Sequence, residues 1–315
     1  MTTIRDAPRT CGDEYELSLQ STRTVRAVIT SVGAGIRSLS VDGVALCPDY
    51  DTRDVRPFYS GVALAPWPNR IRDGRWSHDG VPHQLDITEP DLGNALHGLL
   101  CFTEYRIVHR GPGEISLAAP VHPQHGYPFH LHTEVRYVLT DDGLRVTHFV
   151  RNSGDASAPV ALGAHPFLTV GDVPADQLIL TVAADSHIEV DSRLNPVGVH
   201  RVDGTRWDLR SGCAVAELDL DDAWTDLHIV AGTSTHTLYA PDGRSVSLCA
   251  DQTFGHVHVF VTRRYPRAGR VVTAVAVEPM TAPADAFNSQ SGLRWLAPGE
   301  AFSASWSIRY REDGP

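Results

Sequence analysis

The chain has 315 residues, of which 42% are hydrophobic and 21% are charged, values typical of a soluble globular protein. Its formal net charge of −11 disfavours nucleic-acid phosphates and anionic membrane lipids as partners. All 27 basic residues are arginine. The absence of lysine excludes Schiff-base chemistry, internal attachment of pyridoxal phosphate and a Walker-type phosphate loop.

Cysteine usage and hydropathy predict a reducing, cytoplasmic setting. The five cysteines are odd in number, widely spaced and never in a CxxC pair, so neither a disulfide framework nor a zinc knuckle is expected. The chain opens on polar and charged residues, and no stretch approaches the roughly 18 apolar residues that span a bilayer. We expect residues 1–14 to form a mobile tail and residues 15–315 to form a single domain.

Short runs of β-branched and aromatic residues, separated by Asp-Gly turns, predict strands along the whole chain. Asp-Gly occurs seven times, and it suits a type I′ hairpin turn because both central residues there take positive φ. The clearest hairpins, in chain order, are GRWSHDGVPHQL, TEVRYVLTDDGLRVTHFVRN and HTLYAPDGRSVSLCA. In the second hairpin, Val135, Tyr137 and Leu139 share one face. The pattern predicts an all-β fold, a large antiparallel β-sandwich with few short helices.

Three loop segments differ from this hairpin pattern. PWPNR sets Trp67 between two prolines, just before Asn69 and Arg70, and an aromatic beside an arginine suits a sugar or an anion. NALHGL and GAHPF set His97 and His165 in tight loops at strand ends. Histidine, with an ordinary pKa of ~6.5, is the usual proton carrier near neutral pH. Each residue alone is more often structural than catalytic, but the similar settings of the two histidines favour a shared role.

Two later segments carry carboxylates. LDDAWTDLHI offers Asp221, Asp222 and Asp226, a pattern that also fits turn-forming or solvated aspartates. Glu278 follows VVTAVAV, a run that is apolar on both faces. Burial of an unpaired carboxylate raises its pKa toward the range of a general base, whereas an arginine partner would make it a structural ion pair. The residues alone leave both roles open.

Two strands carry paired histidines, His130 with His132 in FHLHTEV and His256 with His258 in FGHVHVF. Residues two apart in a strand share a face, so either pair could contribute to a metal site. No third ligand accompanies them at diagnostic spacing, and packed or exposed strand histidines are the alternative. We therefore predict no metal site.

The segments NRI, NALHGL, GAHPF, DDAWTDL and VEPMTAPADAFN follow an order that resembles the aldose 1-epimerase, or galactose mutarotase, family. The resemblance extends from about Arg26 to Ile308. The PWPNRIRDGRW and EPMTAPADAFN forms are similar to a bacterial branch of undefined sugar preference. The resemblance implies a mutarotase-like supersandwich, with the site in a cleft on one face, that acts on a free monosaccharide and uses no cofactor.

The resemblance also implies three catalytic roles. Glu278 matches the general base that takes the proton from the anomeric hydroxyl. His165 matches the general acid that protonates the ring oxygen. His97 matches a second histidine that positions and polarises the sugar near that oxygen. The pair would need an ionised glutamate and a protonated histidine.

For substrate binding, the resemblance implies Arg70 and Asp226 as ligands of sugar hydroxyls, with Asn69 and Trp67 beside them. Family members often carry glutamine where this chain has Met280, a difference that bears on which hydroxyls are bound. No sequence signal indicates obligate assembly, so we expect a monomer or a weak homodimer.

Other functions stay open on the residues alone. A hexose-phosphate mutarotase would need an arginine clamp, for which TRRYPRAGR is the densest candidate, although a solvated basic loop is the favoured explanation of that segment. A glycoside hydrolase would use Glu278 and Asp226 as paired carboxylates. A non-catalytic sugar-binding protein, or an isomerase or lyase of an unusual sugar, would use the same scaffold.

Overall fold

The computed structural model describes residues 10–312, which are almost entirely antiparallel strands. The first thirteen strands are β1 Glu14–Gln20, β2 Thr24–Thr30, β3 Gly35–Val41, β4 Val44–Ala45, β5 Ala63–Leu64, β6 Arg70–Arg72, β7 Arg75–His78, β8 Val81–Gln84, β9 Asn94–Leu96, β10 Arg106–Gly111, β11 Glu114–Val121, β12 Leu131–Thr140 and β13 Gly143–Asn152. The next fourteen are β14 Ala158–Val160, β15 Gly163–Ala164, β16 Phe167–Leu168, β17 Ile179–Val182, β18 Ala184–Val190, β19 Pro196–Arg201, β20 Cys213–Ala214, β21 Asp221–Leu227, β22 Thr233–Tyr239, β23 Ser245–Asp251, β24 His256–Arg267, β25 Arg270–Met280, β26 Arg294–Leu296 and β27 Ala301–Arg311.

Helical structure is as sparse as predicted. Over residues 10–312 it consists of α1 and three 3-10 turns, namely α1 Ala286–Ser289 and the turns Pro57–Tyr59, Ala175–Gln177 and Val215–Glu217. None of these has the length and apolar character needed to cross a membrane.

Two large sheets dominate the fold. The first has nine strands in the order β10-β11-β12-β13-β27-β23-β22-β17-β20. The second has eight, in the order β19-β18-β21-β24-β25-β15-β5, with β16 also paired to β25. Apolar side chains of both sheets, such as Val146 of the first and Val259 and Val277 of the second, belong to one continuous core. The predicted all-β sandwich is confirmed.

The three predicted hairpins are present with the expected register. In β12, Val135, Tyr137 and Leu139 are buried while Arg136 is exposed, and the strand pairs with β13 as far as Thr140 opposite Gly143. Strands β7 and β8, and strands β22 and β23, form the other two. Both central residues have positive φ at three of the Asp-Gly turns, namely Asp42-Gly43, Asp73-Gly74 and Asp79-Gly80. The pair at 313–314 lies outside the described residues.

The ordered chain begins earlier than the predicted boundary at residue 15. The Cys11 side chain is buried, and the backbone N–H of Thr10 donates to the carbonyl of Thr52. The backbone N–H of Ser31 donates to the carbonyl of Asp13. Residues 10–14 are therefore packed rather than part of a mobile tail, while residues 1–9 lie outside the described part of the chain. A single domain remains our prediction.

Strand β25 organises the second sheet around Glu278. Its segment from Ala274 to Met280 is buried throughout, as the sequence predicts for a strand that is apolar on both faces. The strand does not end at Glu278, because Pro279 still lies opposite Val257. Met280 is fully buried and packs with Ile188 and Ala223.

Close backbone packing at Gly61 should make the stability of the fold sensitive to substitution there. Gly61 has φ +76°, and a Cβ there would lie 2.1 Å from the carbonyl oxygen of Ile36. Gly43 has φ +82° but open space around the Cβ position. We expect Gly43→Ala to lower the free energy of unfolding by ~1 kcal/mol through left-handed strain alone. Gly61→Ala adds the clash and should cost roughly 3 kcal/mol in urea denaturation. Equal losses would contradict this packing.

Candidate active site

A cavity of about 210 Å³ opens at the second sheet where β21, β24 and β25 lie side by side. Its lining comes from loops as well as strands and consists of Phe58, Tyr59, Asn69, Arg70, Glu89, Leu96, His97, His165, Asp221, His258, Phe260 and Glu278. Five predicted site residues lie here together, namely Glu278, His165, His97, Arg70 and Asn69. Trp67 and Asp226 do not.

Glu278 is flanked by one histidine on each side within the sheet. On one side β24 places His258 directly opposite it. On the other side β15 and β16 pair with β25 at Gly163 and Phe167, and this common register brings His165 level with Glu278. The Nε2 atom of His165 lies 3.2 Å from Oε1 of Glu278. Both residues of this Glu278–His165 pair are almost fully buried. The strand pairing brings them into contact although they lie 113 positions apart in the sequence.

Burial determines where the proton of this pair resides. Burial raises the pKa of Glu278 to about 7, reinforced by Asp221 and opposed by His258 and Arg70. Burial, together with the charge of His258, lowers the pKa of His165 to about 3. The shared proton therefore rests on Glu278 in the empty site. This differs from the predicted resting state of ionised glutamate and protonated histidine. In that state both charged groups would have to lose their hydration, which burial makes costly.

Two atoms of the Glu278–His165 pair lack hydrogen-bond partners within residues 10–312. They are Oε2 of Glu278 and Nδ1 of His165, both buried. A buried polar atom without a partner carries a free-energy cost of roughly 1–3 kcal/mol. The unpartnered carboxylate oxygen can accept a proton or hydrogen bond from a ligand in the cavity.

His97 has one fixed tautomer. Its Nδ1 accepts the backbone N–H of Asn69 at 3.2 Å, so the proton of the neutral ring lies on Nε2. Burial, with repulsion from His165 and Arg70, holds the pKa of His97 well below its ordinary value. Its ring lies edge-on to His165, with centroids 5.2 Å apart. His97 is therefore a neutral hydrogen-bond donor, consistent with the predicted positioning role.

Asp221 and His258 are the functional residues that sequence reasoning did not select. His258 donates from Nε2 to Oδ1 of Asp221 at 2.9 Å, and its Nδ1 lies 3.4 Å from the side-chain nitrogen of Asn69. Although burial opposes ionisation, the hydrogen bond from His258 and the charges of His258 and Arg70 hold the pKa of Asp221 below its usual range. Burial opposes protonation of His258, but Glu278 and Asp221 raise its pKa.

Arg70 is already paired within the cavity wall. It makes a bidentate contact with Glu89, with Nε to Oε2 at 3.0 Å and Nη2 to Oε1 at 2.9 Å. Its Nη1 lies 3.5 Å from Asp221. The side chain is 8% exposed, so these two carboxylates balance a buried cation. The cavity consequently offers polar hydrogen-bonding groups without an unbalanced positive charge from Arg70.

Asp226 lies outside the cavity lining, contrary to its prediction as a sugar ligand. It is exposed, and its Oδ2 accepts a hydrogen bond from Ser186 at 2.6 Å. It lies five positions from Asp221 on β21, a distance of roughly 17 Å along an extended strand. The aspartate of DDAWTDL that reaches the cavity is Asp221.

Trp67 also lies outside the cavity, contrary to the prediction. Its ring is buried against Phe287 with centroids 5.4 Å apart, and Nε1 donates to the carbonyl of Ala95 at 3.4 Å. The proline-flanked tryptophan is a core anchor for the loop that carries Asn69. Phe58, Tyr59 and Phe260 form the aromatic wall instead, and no motif in the sequence marks them.

Some of the backbone strain in the fold lies at the cavity. Four lining residues other than glycine have left-handed backbones, namely Phe58 (φ 45°), Tyr59 (φ 55°), Asn69 (φ 55°) and His97 (φ 62°). Each such residue costs on the order of 1–3 kcal/mol, and strain of this kind clusters at functional sites. The Tyr59 ring lies on His97 with centroids 4.8 Å apart, so these strained loops support each other.

The other paired histidines do not converge on the cavity. His130 lies beside His122, with ring centroids 5.4 Å apart, and of the pair on β24 only His258 reaches the lining. One atom each of His97, His165 and Glu278 lies within 4.8 Å of the others, a spacing that a metal ion could bridge. Two of these groups, His165 Nε2 and Glu278 Oε1, are also in direct contact at 3.2 Å.

Comparison with known proteins identifies the family. The family model described as Aldose 1-epimerase matches residues 15–309. The uncharacterized protein YihR of Escherichia coli K12 is 33% identical over 284 residues, which cover 90% of this chain and 89% of that protein. The galactose mutarotase of Rattus norvegicus is 33% identical over 162 residues, 48% of this chain and 45% of that protein.

A solved structure shows the same fold. The crystal structure of the GalM/aldose epimerase homologue from C. elegans superposes with a TM-score of 0.84 at 19% identity, covering 96% of this chain and 100% of that chain. The family match extends over nearly all the described residues and includes every strand that lines the cavity. The chain belongs to the aldose 1-epimerase family.

Proposed function

We propose that the chain is a mutarotase that interconverts the α and β anomers of a free aldose in the cavity around Glu278. Family membership supports the reaction class. The observation that carries the proposal is the buried Glu278–His165 pair, in which Nε2 and Oε1 lie 3.2 Å apart and the other carboxylate oxygen has no partner among the described residues. Such a pair suits a reaction in which one proton leaves a hydroxyl while another reaches a ring oxygen.

The proposed cycle conserves the proton of the pair. Glu278 first passes its proton to His165, which gives the carboxylate and imidazolium. Glu278 then takes the proton of the C1 hydroxyl while His165 protonates the ring oxygen, and the C1–O5 bond breaks to give the aldehyde. This step returns the pair to its neutral form. Rotation about C1–C2 and the reverse steps close the ring on the other carbonyl face, without a cofactor.

The remaining lining residues hold the sugar. His97 donates from Nε2 toward a sugar oxygen, while Asp221 and Glu89 offer carboxylate oxygens for hydroxyl groups. Arg70 is held between those carboxylates and donates to the same hydroxyls. The Phe58 side of the aromatic wall suits the apolar face of a pyranose ring. The sugar identity, a cytoplasmic location and a monomeric or weakly dimeric state remain predictions.

The geometry disfavours two alternatives. A phosphorylated sugar would need a free cation, but Arg70 is balanced by Glu89 and Asp221. In TRRYPRAGR, Arg263 pairs with Asp176 and lines a cavity that shares no residue with the candidate site. Glycosidase chemistry with Glu278 and Asp226 is disfavoured because Asp226 lies outside the cavity.

Glu278 is the proposed general base, and its substitution tests the mechanism. Glu278→Gln should lower kcat at least about 10³-fold, because the amide cannot accept the hydroxyl proton. Sugar affinity should change only a few-fold, since the variant preserves the side-chain shape. Polarimetry on freshly dissolved α-glucose and α-galactose gives the rate, and calorimetry gives the affinity. Chelator treatment of the unmodified protein is the control for metal dependence and should leave the rate unchanged. Near-normal turnover by the variant would contradict the assignment.

The pH dependence follows from the proton count of the Glu278–His165 pair. The pair must retain one proton, and it loses that proton as pH rises through the pKa of Glu278, about 7. It gains a second proton only near the pKa of His165, about 3. We expect kcat/KM to be nearly constant at mildly acidic pH and to fall about tenfold per pH unit above about 7, after subtraction of the buffer rate. A rise through that region would mean that His165 does not supply the proton.

Asp221 and Asp226, both on β21, provide a matched test of the corrected site. Asp221→Asn should reduce kcat/KM roughly 10- to 100-fold, because it weakens charge-assisted hydrogen bonds to His258 and Arg70. Asp226→Asn should change kcat/KM less than about twofold, since that exposed side chain does not line the cavity. Polarimetric rates of the two variants on the same sugar compare these effects directly. A larger effect at Asp226 than at Asp221 would restore the original sequence assignment.

A further inference from the structure

A second cavity lies beside the turn that joins β24 to β25. Its volume is about 510 Å³, and its lining shares no residue with that of the candidate site. Three arginines and two aspartates line it, namely Arg263, Arg267, Arg270, Asp172 and Asp176. All three arginines belong to TRRYPRAGR, the basic segment that the proposed function does not use. The cavity therefore gathers charge at a distance from the proposed chemistry.

Arg267 and Arg270 are like charges placed directly opposite each other. They form the last cross-strand pair of the β24–β25 hairpin. Ala268 and Gly269 between them have φ of 49° and 72°, as a tight hairpin turn requires. Opposite side chains on antiparallel strands have Cβ atoms roughly 4.5–5.5 Å apart, and like charges at this spacing destabilise the pairing. An anion held between the two guanidinium groups would remove this repulsion.

The protein supplies no carboxylate to either arginine of this pair. Among residues 10–312, the side chains of Arg267 and Arg270 form no hydrogen bond and no ion pair. Arg210, by contrast, contacts three aspartates. In a chain of net charge −11, two opposed arginines without acidic partners leave a local excess of positive charge at the cavity.

The two aspartates of the cavity have other partners. Asp176 accepts hydrogen bonds from Nη1 of Arg263 at 3.2 Å and from Oγ1 of Thr273 at 3.0 Å. Nη2 of Arg263 donates to two backbone carbonyls at 3.0 Å each, which fixes this wall. The Asp172 side chain is 99% exposed and lies 3.8 Å from Arg244. The uncompensated charge therefore resides on the opposed arginine pair.

We propose that this cavity binds a small phosphate monoester, with the phosphate group between Arg267 and Arg270. A phosphate monoester is close to a dianion above its second pKa of ~6, so it balances both cations, whereas a single carboxylate balances one. The planar guanidinium group matches two phosphate oxygens at once. Leu168, Val173 and Val272 also line the cavity and leave room for a compact organic group. Binding is reversible and independent of the proposed mutarotase reaction.

The test measures binding of glycerol 3-phosphate by isothermal titration calorimetry at about pH 7.5, where the phosphate is mostly dianionic. The unmodified protein should bind one equivalent per chain, and glycerol should not bind. Affinity should fall as NaCl is raised from about 20 mM to about 200 mM, because salt screens the charges. A saturating concentration of glucose should leave the titration unchanged, since the two cavities share no lining residue.

Substitutions within TRRYPRAGR locate the site. Arg267→Gln and Arg270→Gln should each raise Kd at least about tenfold, and Arg270→Lys should raise it less because the charge is kept. Arg264→Gln is the matched control and should change Kd less than about twofold. Arg264 is exposed, its side chain also has no partner within residues 10–312, and it does not line the cavity.

A second readout uses the unliganded protein. Arg267→Gln should raise the urea midpoint of unfolding, because it removes the repulsion across the hairpin. Circular dichroism verifies that each variant is folded. A lowered midpoint would contradict the like-charge pair.

The outcomes separate this inference from the proposed function. Absence of glycerol 3-phosphate binding, its displacement by glucose, or an equal loss in Arg264→Gln overturns the phosphate site. None of these results bears on sugar turnover, so the mutarotase assignment would stand. Selective loss of binding in Arg267→Gln and Arg270→Gln, with partial retention in Arg270→Lys, supports the site even if no sugar is turned over.

Discussion

The burial of one carboxylate between two histidines is the constraint on which the site depends. Glu278 lies in β25, with His258 opposite it on β24 and His165, between β15 and β16, level with it on the other side. Burial raises its pKa to about 7, which places a proton on the carboxyl near neutral pH. The same burial suppresses protonation of His165, so the sheet itself creates a pair with a single mobile proton.

The remaining parts of the site are arranged to hold this pair and to admit a ligand. The backbone N–H of Asn69 fixes the tautomer of His97, and Asp221 holds His258 at 2.9 Å. Both loops that carry Asn69 and His97 contain left-handed residues and depend on the surrounding sheet to hold them in place. Because Arg70 is matched by carboxylates, the cavity is suited to hydroxyl groups.

The sequence predicts the all-β class, three hairpins and five residues that line the cavity, because strand periodicity, turn chemistry and family motifs are local features. It does not predict which aspartate of β21 reaches the cavity, and so Asp226 was selected where Asp221 lies. His258 is found only from the pairing of β24 with β25, a contact between strands. The proton position is a consequence of burial, which no motif reports. For Trp67 the sequence pattern fits two roles, because a proline-flanked tryptophan can be either a buried core residue or a ligand contact.

The measurement that tests this account most directly is the titration of the Glu278 carboxyl carbon by ¹³C NMR in glutamate-labelled protein. The Glu278→Gln variant identifies the resonance by its disappearance. The account predicts a titration midpoint near 7, because burial favours the protonated carboxyl. A midpoint near 4.5, the ordinary value for glutamate, would show that the carboxylate is ionised in the resting site and would contradict the shared-proton pair.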